Sequence, residues 1–286
     1  MWHSKPDQAR AYFWRWGGGQ GLDNDSNTPL ERGQMLKGLQ HKIRNLPTLP
    51  AILSQIIELL EQPNSSAADI ERVLKNDQAL TSKLLAMANS AYYAFQFEVA
   101  TVRRAVVAVG YSEVRNLCMG LSLMGFLKPS VFRNRQMAEK LWTHSLAVAQ
   151  GAKLLTQKTR GLDPEVSYTS GLLHDIGKVV LAAFYPDEVE KLGQLLAQGG
   201  RTFSEAEHHL GLSHSEVGKF LAEHWRLPEL LNQVISRHHA PAASLEHHQT
   251  VCAVHAADYL AHGLGFGDGY RNMPPRLNPK ALDGLG

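Results

Sequence analysis

From Leu49 onward the apolar residues recur three and four apart. Leu49, Ile52, Leu53, Ile56, Ile57 and Leu60 mark one face of a helix that Pro63 ends. Further helix starts follow at short intervals. Ser66 and Asp77 are placed to cap the next two helices, and Ser112, after Gly110, to cap a third over Glu113–Leu127. Asp163-Pro164 opens the helix that runs into His174, because proline is tolerated at the first helical position and aspartate complements the helix dipole. Ser204 with Glu207, and Ser213 with Glu216, have capping-box spacing, and the second pair puts His214 in the first turn of its helix. No stretch shows sustained strand alternation with hairpin turns. The spacing therefore predicts an all-α chain.

Charge and composition exclude several classes of partner. Lysine and arginine number 29 against 27 acidic residues, a net charge of +2. This leaves no electrostatic footprint for nucleic acid or an anionic membrane surface, so no direct nucleic-acid binding is expected. The longest apolar runs, such as Val179–Phe184, fall far short of the roughly 20 residues that span a bilayer. The N-terminal stretch carries Lys5, Asp7 and Arg10 among its aromatics and does not read as a secretory signal, so the expected location is cytoplasmic. Cys118 and Cys252 cannot build a disulfide framework and are expected to be small buried apolar groups.

The second half of the chain carries a ligand-type series: His144, then His174-Asp175 in the string GLLHDIGK, then His214, His238-His239 and Asp258. The intervals are 30, 40, 24 and 20 residues, long enough for each member to come from a separate helix. Imidazole and carboxylate together suit a transition metal held inside a helical bundle. The string counts for more than the abundance, since 12 of the 14 histidines lie at or after position 144. Adjacent helical residues point about 100° apart, so His174 and Asp175 can share an ion only at a helix end. Gly177 would let a ligand or a neighbouring backbone come close, or would simply serve helix packing. Lys178 is either a cation placed to neutralise phosphate charge or a solvated lysine. His144, His174, Asp175 and Asp258 suffice for one divalent ion. Adding His214, His238 and His239 gives enough donors for two, and two ions about 4 Å apart activate water against phosphoesters. Iron, manganese and zinc are the expected ions. His255, three residues before Asp258, could orient that carboxylate, whereas His262 and the other histidines have no partner spacing.

Two stretches resemble a known family. LPTLPAILSQIIELL, VLKNDQALTSKLLAMANSAYY and TVRRAVVAVGYSEVRNLCMGLSL, within residues 46–123, resemble the N-terminal portion of the HDOD family, the HD-related output domains of bacterial signalling proteins. LWTHSLAVAQGAKLL through GLLHDIGKVVL, residues 141–181, looks like the HD half of the same family. The resemblance covers about residues 46–262. It implies an N-terminal helical bundle packed on an HD-type helical bundle, and a role in signal transduction through protein partners. Many members have lost the HD metal ligands. Here His144, His174, Asp175 and Asp258 match the ligand set of the wider HD phosphohydrolase superfamily. His214, His238 and His239 fall where the related HD-GYP phosphodiesterases, which cleave cyclic di-GMP, place additional ligands. Two departures weaken the enzyme reading. Ala240-Pro241-Ala242-Ala243 lacks the GYP signature, and Lys140 stands where trinuclear members carry a glutamate, so a third metal is not expected.

The expected organisation is an N-terminal extension over 1–34 and an HDOD domain over 35–265, followed by a loosely packed, irregular tail over 266–286. The domain divides into an N-terminal lobe of about 35–130 and an HD-like lobe of about 131–265. The aromatic patch Tyr12–Trp16 in the extension is expected to dock on its own domain. The preferred functional reading is a regulatory HDOD protein that retains one or two divalent metal ions at His144, His174, Asp175, His214, His238, His239 and Asp258. The alternative is a metal-dependent phosphohydrolase or phosphodiesterase with a nucleotide or cyclic dinucleotide ligand, in which Asp175 and Lys178 are the catalytic pair. A metal-free scaffold is disfavoured, because degeneration should not leave the whole ligand series.

Overall fold

The computed structural model describes residues 51–126 and 135–286, apart from 60–61, 63, 75–76, 91–92, 212, 243–245, 271–272, 284 and 286, together with Gly38. The extension over 1–34 and its aromatic patch lie outside the described residues. Among those residues the chain is helical, with no strand and one isolated bridge between Thr202 and Met273. The all-α expectation is met. No described helix is long and apolar enough to cross a membrane.

The N-terminal helices are α1 (Ala51–Glu58), α2 (Ala67–Leu74), α3 (Gln78–Ala88), α4 (Val102–Val109) and α5 (Tyr111–Phe126). The periodic positions Leu53, Ile56 and Ile57 are the ones α1 buries. Asp77 caps α3 by accepting from the Leu80 amide at 2.8 Å, as its position predicts. Two expected caps differ. The Ser66 hydroxyl donates to Asp69 at 2.7 Å instead of accepting from α2, so the first-turn carboxylate does the capping. Ser112 lies inside α5, because Gly110, at φ +102°, turns the chain sharply between α4 and α5 and its carbonyl accepts from the Val114 amide.

The second half contains α6 (Arg135–Thr156), α7 (Pro164–Leu173), α8 (Ile176–Phe184), α9 (Pro186–Ala197), α10 (Phe203–Leu210), α11 (His214–His224), α12 (Glu229–Arg237), α13 (His248–Gly263) and the short α14 (Pro279–Asp283). Asp163 caps α7 through the Glu165 amide, with Pro164 in its first turn. The capping box before α10 is Thr202 with Glu205, two residues earlier than the predicted Ser204 and Glu207. That shift leaves Glu207 free for another task. Ser213 sits at the N-cap of α11 without a side-chain cap bond.

One apolar cluster runs from Leu53, Leu84 and Met119 through Leu141 and Leu172 to Val217 and Ile235, so the two halves share a core. A second cluster, including Val148, Val234, Val251 and Val254, joins α6, α12 and α13. Burying one such side chain contributes about 1.5–3 kcal/mol, against about 1 kcal/mol for a cap, so packing sets the arrangement and the caps trim its ends. Cys118 and Cys252 are buried free thiols within this interior. Two close helix crossings fix the positions that matter for chemistry. At Gly171 a Cβ would stand 2.8 Å from the Ala149 Cα on α6, and at Gly177 it would collide with the His214 carbonyl oxygen on α11. What comes close at Gly177 is the backbone of α11, so the residue serves helix packing.

Candidate metal centre

The seven predicted ligand residues converge. His144 comes from the middle of α6, His174 closes α7, Asp175 precedes α8, His214 opens α11, His238 and His239 follow α12, and Asp258 sits on α13. The helix end required for His174 and Asp175 to share an ion is the α7–α8 junction. All are buried except His239, whose side chain is 21% exposed.

Asp175 is the hub. Its Oδ2 lies 3.5 Å from His144 Nε2 and 3.4 Å from His174 Nε2. Its Oδ1 lies 3.3 Å from His214 Nε2 and 3.6 Å from His238 Nε2. His239 Nε2 is 3.0 Å from His214 Nε2, and Asp258 Oδ1 is 3.3 Å from His144 Nε2. Among the described residues there are four groups of three or four donors, including Asp175 with His214, His238 and His239, and His144 with His174 and Asp175, and within each group the ligand atoms lie within 4.8 Å of one another. One carboxylate thus faces two donor sets, one per oxygen.

Hydrogen bonding fixes which imidazole nitrogen faces inward. Each outward Nδ1 meets an acceptor: Phe266 O for His144 and Gly171 O for His174, both at 2.7 Å, and Val234 O and Ile235 O for His238 at 3.1 Å. Carbonyl oxygens only accept, so these Nδ1 atoms carry the proton and the Nε2 lone pairs point at the carboxylate. His214 repeats the pattern with Glu207, whose Oε2 is 2.6 Å from Nδ1 and whose Oε1 accepts the His214 amide at 2.8 Å. Lone pairs aimed at carboxylate oxygens repel unless a cation lies between them. Accordingly, His144 Nε2, His174 Nε2 and both Asp175 oxygens have no hydrogen-bond partner although buried. Lys178 Nζ is 2.7 Å from Asp175 Oδ2, close enough for an ion pair but not aligned as a hydrogen bond. The donor set and its unpartnered atoms fit a divalent metal.

Titration behaviour agrees with this. Burial holds the His214, His238 and His239 imidazoles below the ordinary histidine range, so each keeps a free lone pair near neutrality. Burial would raise Asp175 and Asp258, but His174 and Lys178 beside the first and His144 beside the second reverse it, holding both well below the usual carboxylate range. Burial also lowers His144, yet Asp258 and Asp175 outweigh it and hold that imidazole above its ordinary value. Both carboxylates therefore stay ionised inside the centre.

Three neighbours escaped the sequence reading. Glu207 was assigned to a cap. His262, one turn after Asp258, brings Nε2 to 3.6 Å from Asp258 Oδ1 and forms a donor group with it and His144. Asp268 pairs with Lys178 at 2.8 Å from the segment expected to be loosely packed. Lys178 itself is 5% exposed, which removes the solvated-lysine alternative. His255 does not orient Asp258. Its Nδ1 donates to His238 O at 2.7 Å and its Nε2 accepts from the Asn278 amide at 2.9 Å, fixing the turn that carries His238 and His239.

These shifts give a signed pH dependence for metal-free protein. Burial holds five imidazoles, His214, His238, His239, His255 and His262, below their unfolded value of about 6.5. Each stays neutral in the fold and charges on unfolding. Its stabilisation is present above about pH 6.5 and lost as pH falls through the depressed folded values. Glu207, raised by burial, and His144, raised by Asp258 against burial, act in the opposite sense but are two against five. Chelator-treated protein should therefore melt at a lower temperature at about pH 5.5 than at about pH 7.5. A melting temperature that climbs on acidification would contradict the assignment of these imidazoles as neutral.

Comparison with known proteins places this architecture. Residues 46–241 match the HDOD domain. A solved HDOD domain protein of unknown function from Geobacter sulfurreducens is 29% identical, with 87% of this chain and 85% of that chain covered at a TM-score of 0.74. A structure from Marinobacter aquaeolei VT8, provisionally named a signal transduction protein, is 25% identical, with coverage of 92% and 60% and a TM-score of 0.75. A third, from Shewanella amazonensis SB2B and provisionally named a phosphohydrolase, is 25% identical, with coverage of 79% and 81% and a TM-score of 0.66. An uncharacterized protein of Treponema pallidum (strain Nichols) is 27% identical over 248 residues, which are 85% of this chain and 47% of that relative, so the chain spans about half the length of the curated relative it matches. With the matched region running from α1 through the His238-His239 turn, the chain belongs to the HDOD domain family.

Proposed function

We propose that the chain is a regulatory HDOD domain that holds two divalent transition metal ions in an HD-type centre and acts through protein partners. The observation that carries the metal is the ring of inward-facing Nε2 lone pairs around Asp175, whose two oxygens face separate donor sets. One ion would be held by His144, His174, Asp175 and Asp258, the other by Asp175, His214, His238 and His239. Regulation is supported by the family and by the signal transduction name given to the Marinobacter relative. It is also supported by the burial of the centre, whose neighbouring ammonium, Lys178, is already paired with Asp175 and Asp268.

A second reading, metal-dependent phosphohydrolysis of a nucleotide or cyclic dinucleotide, is favoured by the bridging position of Asp175 and by the name of the Shewanella relative. Two ions at such a bridge would supply Lewis-acid polarisation of a phosphoryl oxygen and an acidified water. The chain would contribute orientation of the donors by Glu207 and the backbone carbonyls, and a positive charge from Lys178 once released from Asp268. Elemental analysis of protein purified without added metal, followed by assay on an aryl phosphodiester, separates the readings. Stoichiometric metal without turnover is the expected result. Metal-dependent turnover would establish the second reading, and protein free of iron, manganese and zinc would overturn both.

A further inference from the structure

After α13 the chain reverses at Gly265, which has φ +89°, and the Phe266 amide returns to the Ala261 carbonyl at 2.9 Å. Residues 264–270 then lie across the centre as a strap, beyond the region matched by the family. Three of its seven residues are glycine, which makes the backbone easy to rearrange. Yet its one acidic side chain, Asp268, is 0% exposed. A carboxylate that deeply buried costs several kcal/mol unless paired, and its partner here is Lys178, with Nζ 2.8 Å from Oδ2. The other oxygen accepts from the Tyr270 amide at 3.3 Å, and the Tyr270 ring stacks edge-on against Phe203 at 4.8 Å. Lys178 Nζ lies 4.4 Å from the centre of that same Phe203 ring. Ring contact and ion pair thus both anchor the strap at one phenylalanine.

Lys178 also touches Asp175, the residue shared by both donor sets, at 2.7 Å. An anion reaching that carboxylate's ions would need the ammonium donor that Asp268 now occupies. We propose that the strap is an internal closure of the centre, in which the Asp268 carboxylate holds the place of a phosphoryl anion on Lys178. A phosphoryl ligand binds only as the strap lifts. The inference rests on the metal centre proposed above and adds to it what controls access.

The test uses the full chain, with Asp268→Asn, which keeps the shape and the acceptor for Tyr270 but loses the charge, and Tyr270→Ala, which loosens the strap without touching Lys178. Inorganic phosphate is titrated calorimetrically, metal content is measured on the same samples, and amide exchange is followed over 264–270. Asp268→Asn should bind phosphate about tenfold more tightly than wild type, because the competitor for Lys178 is gone and the open state is more populated. Tyr270→Ala should give a smaller gain, and both should exchange faster across the strap at unchanged metal content. A nucleoside monophosphate titrated in parallel distinguishes a nucleotide ligand from the free ion by which binds more tightly. Phosphate affinity unchanged in Asp268→Asn at full metal content would overturn the proposal. Protein without metal would defeat the metal reading separately. The exchange data would still decide the strap, since wild-type protection in both variants rules out a closure held by these contacts.

Discussion

Asp175→Ala should purify with little or no bound metal. The two oxygens of Asp175 face separate donor sets, His144 and His174 on one side and His214 and His238 on the other. Alanine removes a ligand from each set together with the negative charge that attracts both ions. Changes in groups that merely orient ligands cost about 10–100-fold in metal affinity, so loss of a shared ligand should exceed that range. The readout is metal content by elemental analysis after purification without supplementation, paired with the melting temperature before and after adding the same metal. Wild type should gain stability with the metal because binding favours the folded state, and the variant should gain almost none. Asp175→Asn is the sharper comparison. It keeps one oxygen and the shape, so metal loss there assigns the effect to the second oxygen and its charge and not to the cavity that alanine leaves. Wild-type metal content in Asp175→Ala would mean that Asp175 is not the ligand the two donor sets share.

How far the sequence reached follows from the range of each signal. The helices were legible because their apolar spacing and their aspartate caps, Asp77 and Asp163, are local properties. The seven donors were legible because histidines and aspartates at inter-helix intervals, one pair inside GLLHDIGK, are hard to mistake for a surface pattern. Glu207 was not, since the Ser204-x-x-Glu207 spacing fits a cap, and only the tertiary fold shows Thr202 and Glu205 filling that role. A signal existed in that Thr202-x-x-Glu205 fits the same rule, and two overlapping boxes cannot both start one helix. Asp268 gave no local signal. Its Gly-rich surroundings read as a loose tail, and its burial depends on Lys178, 90 residues earlier. His262 could have been found as the residue four after Asp258 on the same helix face.

Gly177→Ala should damage the centre without removing any donor. By intrinsic propensity alanine is preferred to glycine inside a helix by about 1 kcal/mol, so on local grounds the change would stabilise α8. The tertiary structure reverses that. A Cβ at 177 would collide with the His214 carbonyl oxygen and stand 2.8 Å from the Gly218 amide nitrogen, and both are backbone atoms of α11 that cannot rotate away. Forcing the two helices apart belongs to the overpacking class, which costs about 1–3 kcal/mol, and a backbone clash falls at the upper end of it. The net loss of about 2 kcal/mol should lower the melting temperature by roughly 4–8 °C for a chain of this size. Because the clash is with His214 itself and Asp175 lies two residues before the substitution, the same displacement should pull His214 Nε2 away from Asp175 Oδ1 and weaken metal binding. Gly263→Ala is the control, since nothing lies within 4 Å of a Cβ there and the residue ends a helix. It should leave metal content intact and keep or raise the melting temperature. Equal behaviour of the two variants would show that the α8–α11 crossing has slack enough to absorb a methyl group, and that Gly177 is not what sets the distance between Asp175 and His214.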